Sequence, residues 1–283
     1  MSEIQKNAAH YQFLDQPTGA TEFSTTLIRL NRLDFVVFRP VLMKIMERSS
    51  TDEGDRTTGA RALESYLVRR MVCDMQTRGY GTLAVELVRR LADAEDGPTT
   101  PALINALRES PGGWPDDDTF QHNWCIRRFY GWFRRDRVAM LLQALEERLQ
   151  SLASKSEPVL HFDYSKLTIE HIMPQSWTAS WPLPANVSPE ERETLIQNIG
   201  NLTLVSGKLN PSLSNSPWWI PDSETCKMSG LQAHSDLKLN KQLLAEHRTS
   251  WDEDCIRKRA GTLFEEARVI WPSSEAFASA QNT

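Results

Sequence analysis

Glu170 and His171 stand side by side directly after the β-leaning run Leu167-Thr168-Ile169 and are followed by Ile172-Met173-Pro174-Gln175. Two more polar clusters come later, Gly200-Asn201-Leu202-Thr203-Leu204 and Lys208-Leu209-Asn210. A carboxylate beside a histidine at a strand end can place one side chain on a metal ion and the other on a water molecule. Successive strand residues face opposite sides, so a bend at Pro174 is needed to bring both to one site. Asn210, in what reads as the first turns of a helix, would add a neutral oxygen ligand. A hard cation such as Mg2+ suits that oxygen set and keeps several waters and a substrate phosphate as its remaining ligands. A neutral His171 can then take a proton from the attacking water. The metal's part would be charge neutralisation at the phosphate and the leaving oxygen, not generation of a metal-bound hydroxide.

These residues have to be held by the surrounding elements. Leu167–Ile169 and Leu202–Val205 read as two short strands. Between them lie a Trp- and Pro-rich stretch and a short helix from Pro189 to Ile196, with Ser188 as its N-cap and Pro189 in its first turn. Upstream the pattern is helical throughout. Apolar residues recur at three- and four-residue steps from Leu27 to Met46, with a break or first turn at Pro40. Thr51–Thr58 reads as a charged connection. Helices are then expected at Ala60–Arg78, Thr82–Asp93, Ala102–Arg108 (N-capped by Thr99 or Thr100), Asp116–Phe133 and Val138–Leu149. After the strands the chain returns to helix, through Leu239–Leu244 and Trp251–Phe264. The fold class expected is mainly α. Residues 1–20 read as a flexible polar leader, 21–150 as an α-helical domain, 151–275 as a domain built on the two strands with closing helices, and 276–283 as a flexible tail.

At 283 residues the chain has room for about two domains. A hydrophobic content of 40% with 24% charged residues excludes a disordered chain. No apolar run approaches the ~18 residues that cross a bilayer. The start of the chain carries no signal-like apolar stretch. A cytoplasmic protein without a membrane partner is expected. The four cysteines (Cys73, Cys125, Cys226, Cys255) lack zinc-ligand spacing and read as free thiols. The net charge of −5 argues against a basic coat over the whole surface, but not against a local basic groove.

The run Ile169-Glu170-His171-Ile172-Met173-Pro174-Gln175, then Ile199-Gly200-Asn201-Leu202-Thr203-Leu204, then Asn210, resembles the HNH (His-Me finger, ββα-metal) nuclease signature. It is most similar to the C-terminal nuclease domain of GmrSD-type modification-dependent restriction enzymes and SspE-type phage-defence effectors. The nine-residue step from Asn201 to Asn210 is similar to that in the HNH domains of CRISPR effectors. The resemblance covers roughly residues 25–272 and is densest at 167–215. It implies a small ββα-metal nuclease domain and a metal-dependent endonuclease that nicks DNA, with phage double-stranded DNA as substrate. It also implies that His171 is the general base, that Asn201 orients the imidazole, and that Glu170 and Asn210 hold Mg2+ or Mn2+. Asn215, Lys208 and Lys227 are implied as substrate-binding residues. Many HNH nucleases have Asp and His where Glu170 and Asn210 stand, which leaves the preferred metal open. In full-length relatives a nucleotide-hydrolysing sensor domain lies upstream. This chain has no phosphate-cradling G-x-x-x-x-G-K-[ST] loop, so it is expected to be the C-terminal half of a larger protein, regulated by that upstream domain, or a homologue lacking the sensor.

Each signal has a plainer reading. A Glu-His dipeptide alone fits an inert structural histidine, and the spaced clusters are what make it a site. Asn215 fits a helix cap as well as a substrate contact. Paired arginines (Arg69-Arg70, Arg89-Arg90, Arg127-Arg128, Arg134-Arg135) usually mark a solvated face. Their alternative role is phosphate contact, with Tyr130 and Trp132 as stacking groups. Trp177, Trp181, Trp218 and Trp219 read as packing around the motif. The competing functional class is a non-catalytic DNA- or partner-binding module on a retired nuclease scaffold. An RNA-directed nuclease of the same fold is a third.

Overall fold

The computed structural model describes residues 3–47, 52–94, 99–153, 163–209, 215–221 and 226–280. Among these it contains thirteen α-helices and a single two-stranded antiparallel sheet, so the protein is mainly α as expected. The chain divides into two compact units, residues 1–120 with 271–283, and residues 121–270. This division falls well before the expected boundary at 150. The last helix assigned to the upstream domain (α8, Arg135–Ala153) instead packs with the elements that carry the Glu-His pair. No described helix is long and apolar enough to cross a membrane.

The first unit holds α1 (Glu3–Asp15), α2 (Glu22–Leu33), α3 (Arg39–Glu47), α4 (Glu53–Val72), α5 (Tyr80–Asp93) and α6 (Thr99–Arg108). The supposed leader is therefore a helix, docked through the buried Leu14 and through its carbonyl, which accepts the Asn31 Nδ2–H at 2.7 Å. The long apolar run is broken at Asp34, in the left-handed conformation at φ 59°, and Pro40 falls in the first turn of α3. The charged connection at 51–58 largely becomes the start of α4, N-capped by Asp52. Asp55 on α4 then caps the next helix but one. Its carboxylate accepts the backbone N–H groups of Thr99 (2.8 Å) and Thr100 (3.1 Å) at the start of α6. Neither threonine is the cap; both are donors to one.

Arg69 and Arg70, on the central helix α4, are buried rather than solvated. Arg69 donates to the carbonyls of Trp271 (2.8 Å) and Pro115 (3.0 Å) and pairs with Asp117. Arg70 binds the carbonyls of Pro111, Gly113 and Gln76. Trp271 in turn donates its indole N–H to Glu64 at 2.8 Å, and the Pro272 carbonyl accepts from Ser65 at 2.6 Å. The expected tail is part of a helix, Ser274–Ala280, whose Phe277 is buried.

The second unit is built on β1 (Leu167–His171) and β2 (Leu202–Ser206), paired from Leu167↔Ser206 to His171↔Leu202. Around them lie α8, α9 (Pro189–Ile196), α10 (Lys227–His234), α11 (Lys238–Glu246) and α12 (Glu253–Ile270). The helix α7 (Asp117–Ile126) ends earlier than expected, so residues 127–134 form a loop. As its sequence predicts, α9 is capped by Ser188, which accepts the Glu191 N–H. The core joins Ile172, Met173, Trp181, Ile196, Trp218 and Trp251, with Trp177 packed against it, whereas Trp219 is exposed. Arg192, buried on α9, pairs with Glu253 of α12 and donates to the carbonyls of Trp181 and Pro182, fixing the Trp-rich stretch.

Candidate active site

His171 ends β1, and the bend that follows lies at Ile172–Met173, one residue before Pro174. Asn201 makes that bend. Its Oδ1 accepts the Met173 N–H (2.8 Å) and the Trp251 indole N–H (3.0 Å), and its Nδ2 donates to the carbonyls of Met173 (2.8 Å) and Ile196 (2.9 Å). Two donors and two acceptor sites are thereby filled. Asn201 therefore pins the chain after β1 and does not touch the imidazole it was expected to orient.

The imidazole is held by Gln197, the residue that ends α9. His171 Nε2 lies 3.1 Å from Gln197 Oε1. A carbonyl oxygen cannot donate, so Nε2 carries the proton and Nδ1 is left with its lone pair. The backbone oxygen of the same Gln197 accepts the N–H groups of Phe129 (2.8 Å) and Tyr130 (3.1 Å). The Tyr130 ring then meets the His171 ring edge-on at 4.6 Å. Burial brings the His171 pKa down to about 4 against the opposing Gln197 hydrogen bond, with a smaller downward push from the Lys227 charge. The imidazole is neutral at physiological pH.

Glu170 is buried and meets Lys227, the first residue of α10. Lys227 Nζ donates to Glu170 Oε1 at 2.5 Å and to the His171 carbonyl at 2.7 Å. Burial raises the Glu170 carboxyl above the usual carboxylate range despite that ammonium, and it lowers Lys227. Lys227 is 1% exposed, so it cannot meet substrate as expected; it fastens α10 to the strand that carries both site residues.

Glu170 and His171 open onto one cleft of about 600 Å3, lined also by Tyr130, Arg135, Gln175 and Asn215. Of the other expected residues, Asn215 lies at this cleft. Lys208 is exposed on the turn after β2 and does not line it. Asn210 lies outside the described residues. Among the described residues, no cluster of three or more His, Cys, Asp or Glu could hold a metal ion. The local donors nevertheless suit a hard cation. Lys227 takes one Glu170 oxygen and the His171 backbone N–H also reaches the carboxylate, so a hard cation there would share it and fill its shell with water and phosphate.

Several residues that support the site carry no motif. Asn198 accepts the Gly200 N–H at 2.8 Å and donates to the carbonyls of Trp124, Cys125 and Arg127, tying the end of α7 to the turn before β2. Gly200 lies so close to α12 that a Cβ there would collide with the Ile256 carbonyl oxygen. Arg259 on α12 donates to the carbonyls of Gly200 and Leu202, both at 2.8 Å, and burial brings its pKa down to about 10. Gln197 could not be found from sequence, because a lone glutamine at a helix end has no pattern.

Residues 114–266, more than half of the chain, match the family model of GmrSD restriction endonucleases, C-terminal domain. The site described above lies within a nuclease domain. The chain belongs to the GmrSD restriction endonuclease C-terminal-domain family, and the matched segment contains Tyr130, Arg135, Glu170, His171, Gln197 and Asn201. No curated protein sequence matches the chain.

Proposed function

We propose that the protein is a divalent-metal-dependent DNA endonuclease of the HNH type that nicks one strand per event in restriction or defence against phage. The observation that carries this reading is the placement of His171. Its Nε2–H is committed to Gln197, and it stands beside Glu170 at an open cleft in a chain of restriction-endonuclease family. His171 takes a proton from water at Nδ1 as the water oxygen attacks phosphorus. The P–O3′ bond breaks, and the departing 3′-oxygen is protonated by solvent. Mg2+ or Mn2+, held by Glu170 and Asn210, would supply charge neutralisation at the phosphate and the leaving oxygen. Gln197 keeps the base in the required tautomer, and the closed bend at Asn201 keeps the strand end in place.

The measurement is relaxation of supercoiled phage or plasmid DNA with Mg2+, with Mn2+ and with EDTA. Nicking that needs metal and is lost in His171→Ala supports the mechanism; undiminished cleavage by that variant overturns it. One observation favours the non-catalytic module instead: the Lys227 ammonium already sits on Glu170. Metal-independent DNA affinity with no nicking would select that reading.

A further inference from the structure

Across the cleft from β1 the wall is formed by the loop ending at Arg134 and by the first turn of α8. Among the described residues, three charged side chains line the cleft: Glu170, Asp136 and Arg135. Both carboxylates are already compensated. Glu170 has Lys227, and Asp136 is gripped by Arg134 through Nη2 at 2.7 Å and Nε at 3.2 Å. Arg135 has no carboxylate partner among the described residues. Its guanidinium lies 5.3 Å over the Tyr130 ring. A guanidinium stacked on an aromatic face keeps its edge N–H groups available for a planar, two-oxygen acceptor. Once the pairs cancel, the described residues leave the cleft one positive charge, Arg135, and its side chain is exposed.

The position of this charge is not accidental to His171. The Tyr130 N–H is bonded to the Gln197 backbone oxygen, and the Tyr130 ring abuts the imidazole edge-on. Gln197 thus sets His171 through its side chain, and Arg135 through its backbone and Tyr130. We infer that Arg135 binds a backbone phosphate of the strand being cut, with Tyr130 as the positioning residue that fixes its distance from His171. This rests on the endonuclease reading and adds to it a substrate-binding residue on the helix that follows the loop. Arg134 and the buried Arg69 and Arg70, committed to their own partners, take no such part.

The test uses the full chain, with EDTA present so that DNA is bound and not cut. Affinity for a fluorescent duplex is measured by anisotropy over a range of salt concentrations. Arg135→Gln is expected to weaken binding about tenfold and to flatten the log–log salt dependence by about 0.9, the loss of a single phosphate contact. Arg135→Lys keeps the charge and is expected to restore most of that slope. In the nicking assay Arg135→Gln raises KM more than it lowers kcat, and its melting temperature stays at the wild-type value because the side chain is exposed. Tyr130→Leu is expected to keep the salt slope and lower kcat. A wild-type slope and affinity in Arg135→Gln, with the parent protein binding and cutting normally, overturns the assignment of Arg135. If the parent neither binds nor cuts DNA, the endonuclease reading itself falls, and this assignment with it.

Discussion

Gln197 Oε1 lies 3.1 Å from His171 Nε2, and this single contact decides which ring nitrogen keeps its lone pair. The two residues are 26 positions apart, one at the end of a helix and the other at the end of a strand. Gln197→Leu should leave the fold intact and free the ring to turn or change tautomer. We expect its single-turnover nicking rate to fall about 10- to 100-fold, less than the roughly 10²–10⁴-fold loss expected when the base itself is removed in His171→Ala. Equal losses in the two variants would mean that Gln197 does more than orient the ring.

Lys227→Met leaves Glu170 buried without its counter-charge. Breaking one side of a buried ion pair costs about 3–5 kcal/mol. Urea unfolding should show a loss of that order, and the double variant Glu170→Gln with Lys227→Met should recover much of it. A double variant as unstable as Lys227→Met alone would show that the ammonium matters chiefly for its bond to the His171 carbonyl.

Gly200→Ala drives a methyl group into the Ile256 carbonyl oxygen, which belongs to helix backbone and cannot swing aside. Overpacking of this kind costs about 1–3 kcal/mol or more. A lowered melting temperature is expected, together with reduced nicking, because Asn201 and the start of β2 shift with the turn.

Asp55 supplies an acid-dependent part of the stability of the first unit. Burial alone would raise its pKa, but the bonds from Thr99 and Thr100 outweigh that and leave it below the usual carboxylate value. A depressed folded-state pKa means that the stabilisation is complete above the unfolded value of roughly 3.9 and is lost as pH falls through the folded one. Asp55→Ala should cost about 0.5–2 kcal/mol at pH 7, the usual range for a helix cap. The gap in melting temperature between Asp55→Ala and the parent should narrow as pH drops below 4. A gap that stays constant with pH would show that the carboxylate charge contributes nothing.

The Glu170-His171 pair and the two strands could be read from sequence because their signals are contiguous: a short β-leaning run, a carboxylate beside a histidine, and a proline. The same holds for α9, where Ser188 and Pro189 mark its start. Asn201 was equally visible as a motif residue, yet its role was not, since its four side-chain hydrogen bonds go to three residues on other segments, Met173, Ile196 and Trp251. The arginine pairs misled for a related reason. The Arg-Arg doublet does not distinguish Arg69, buried against carbonyls at Pro115 and Trp271, from Arg89; only the acids at i−3 and i+4 of Arg89, Glu86 and Asp93, mark a self-paired helix surface. Sequence spacing reports the face of a helix; only the fold reports what that face meets.

The first unit is not contiguous in the chain, since it takes in residues 1–120 and returns at Trp271. During synthesis the helices of residues 3–108 therefore emerge without Trp271, which donates to Glu64 and receives Arg69. At ribosomal speeds of about 5–20 residues per second, making the intervening segment takes on the order of ten seconds. In that interval the nuclease-bearing segment can fold first, and the upstream helices close over their own core only once Trp271 has been made. A nonsense codon just before Trp271 would leave the second unit entire and the first one unsealed.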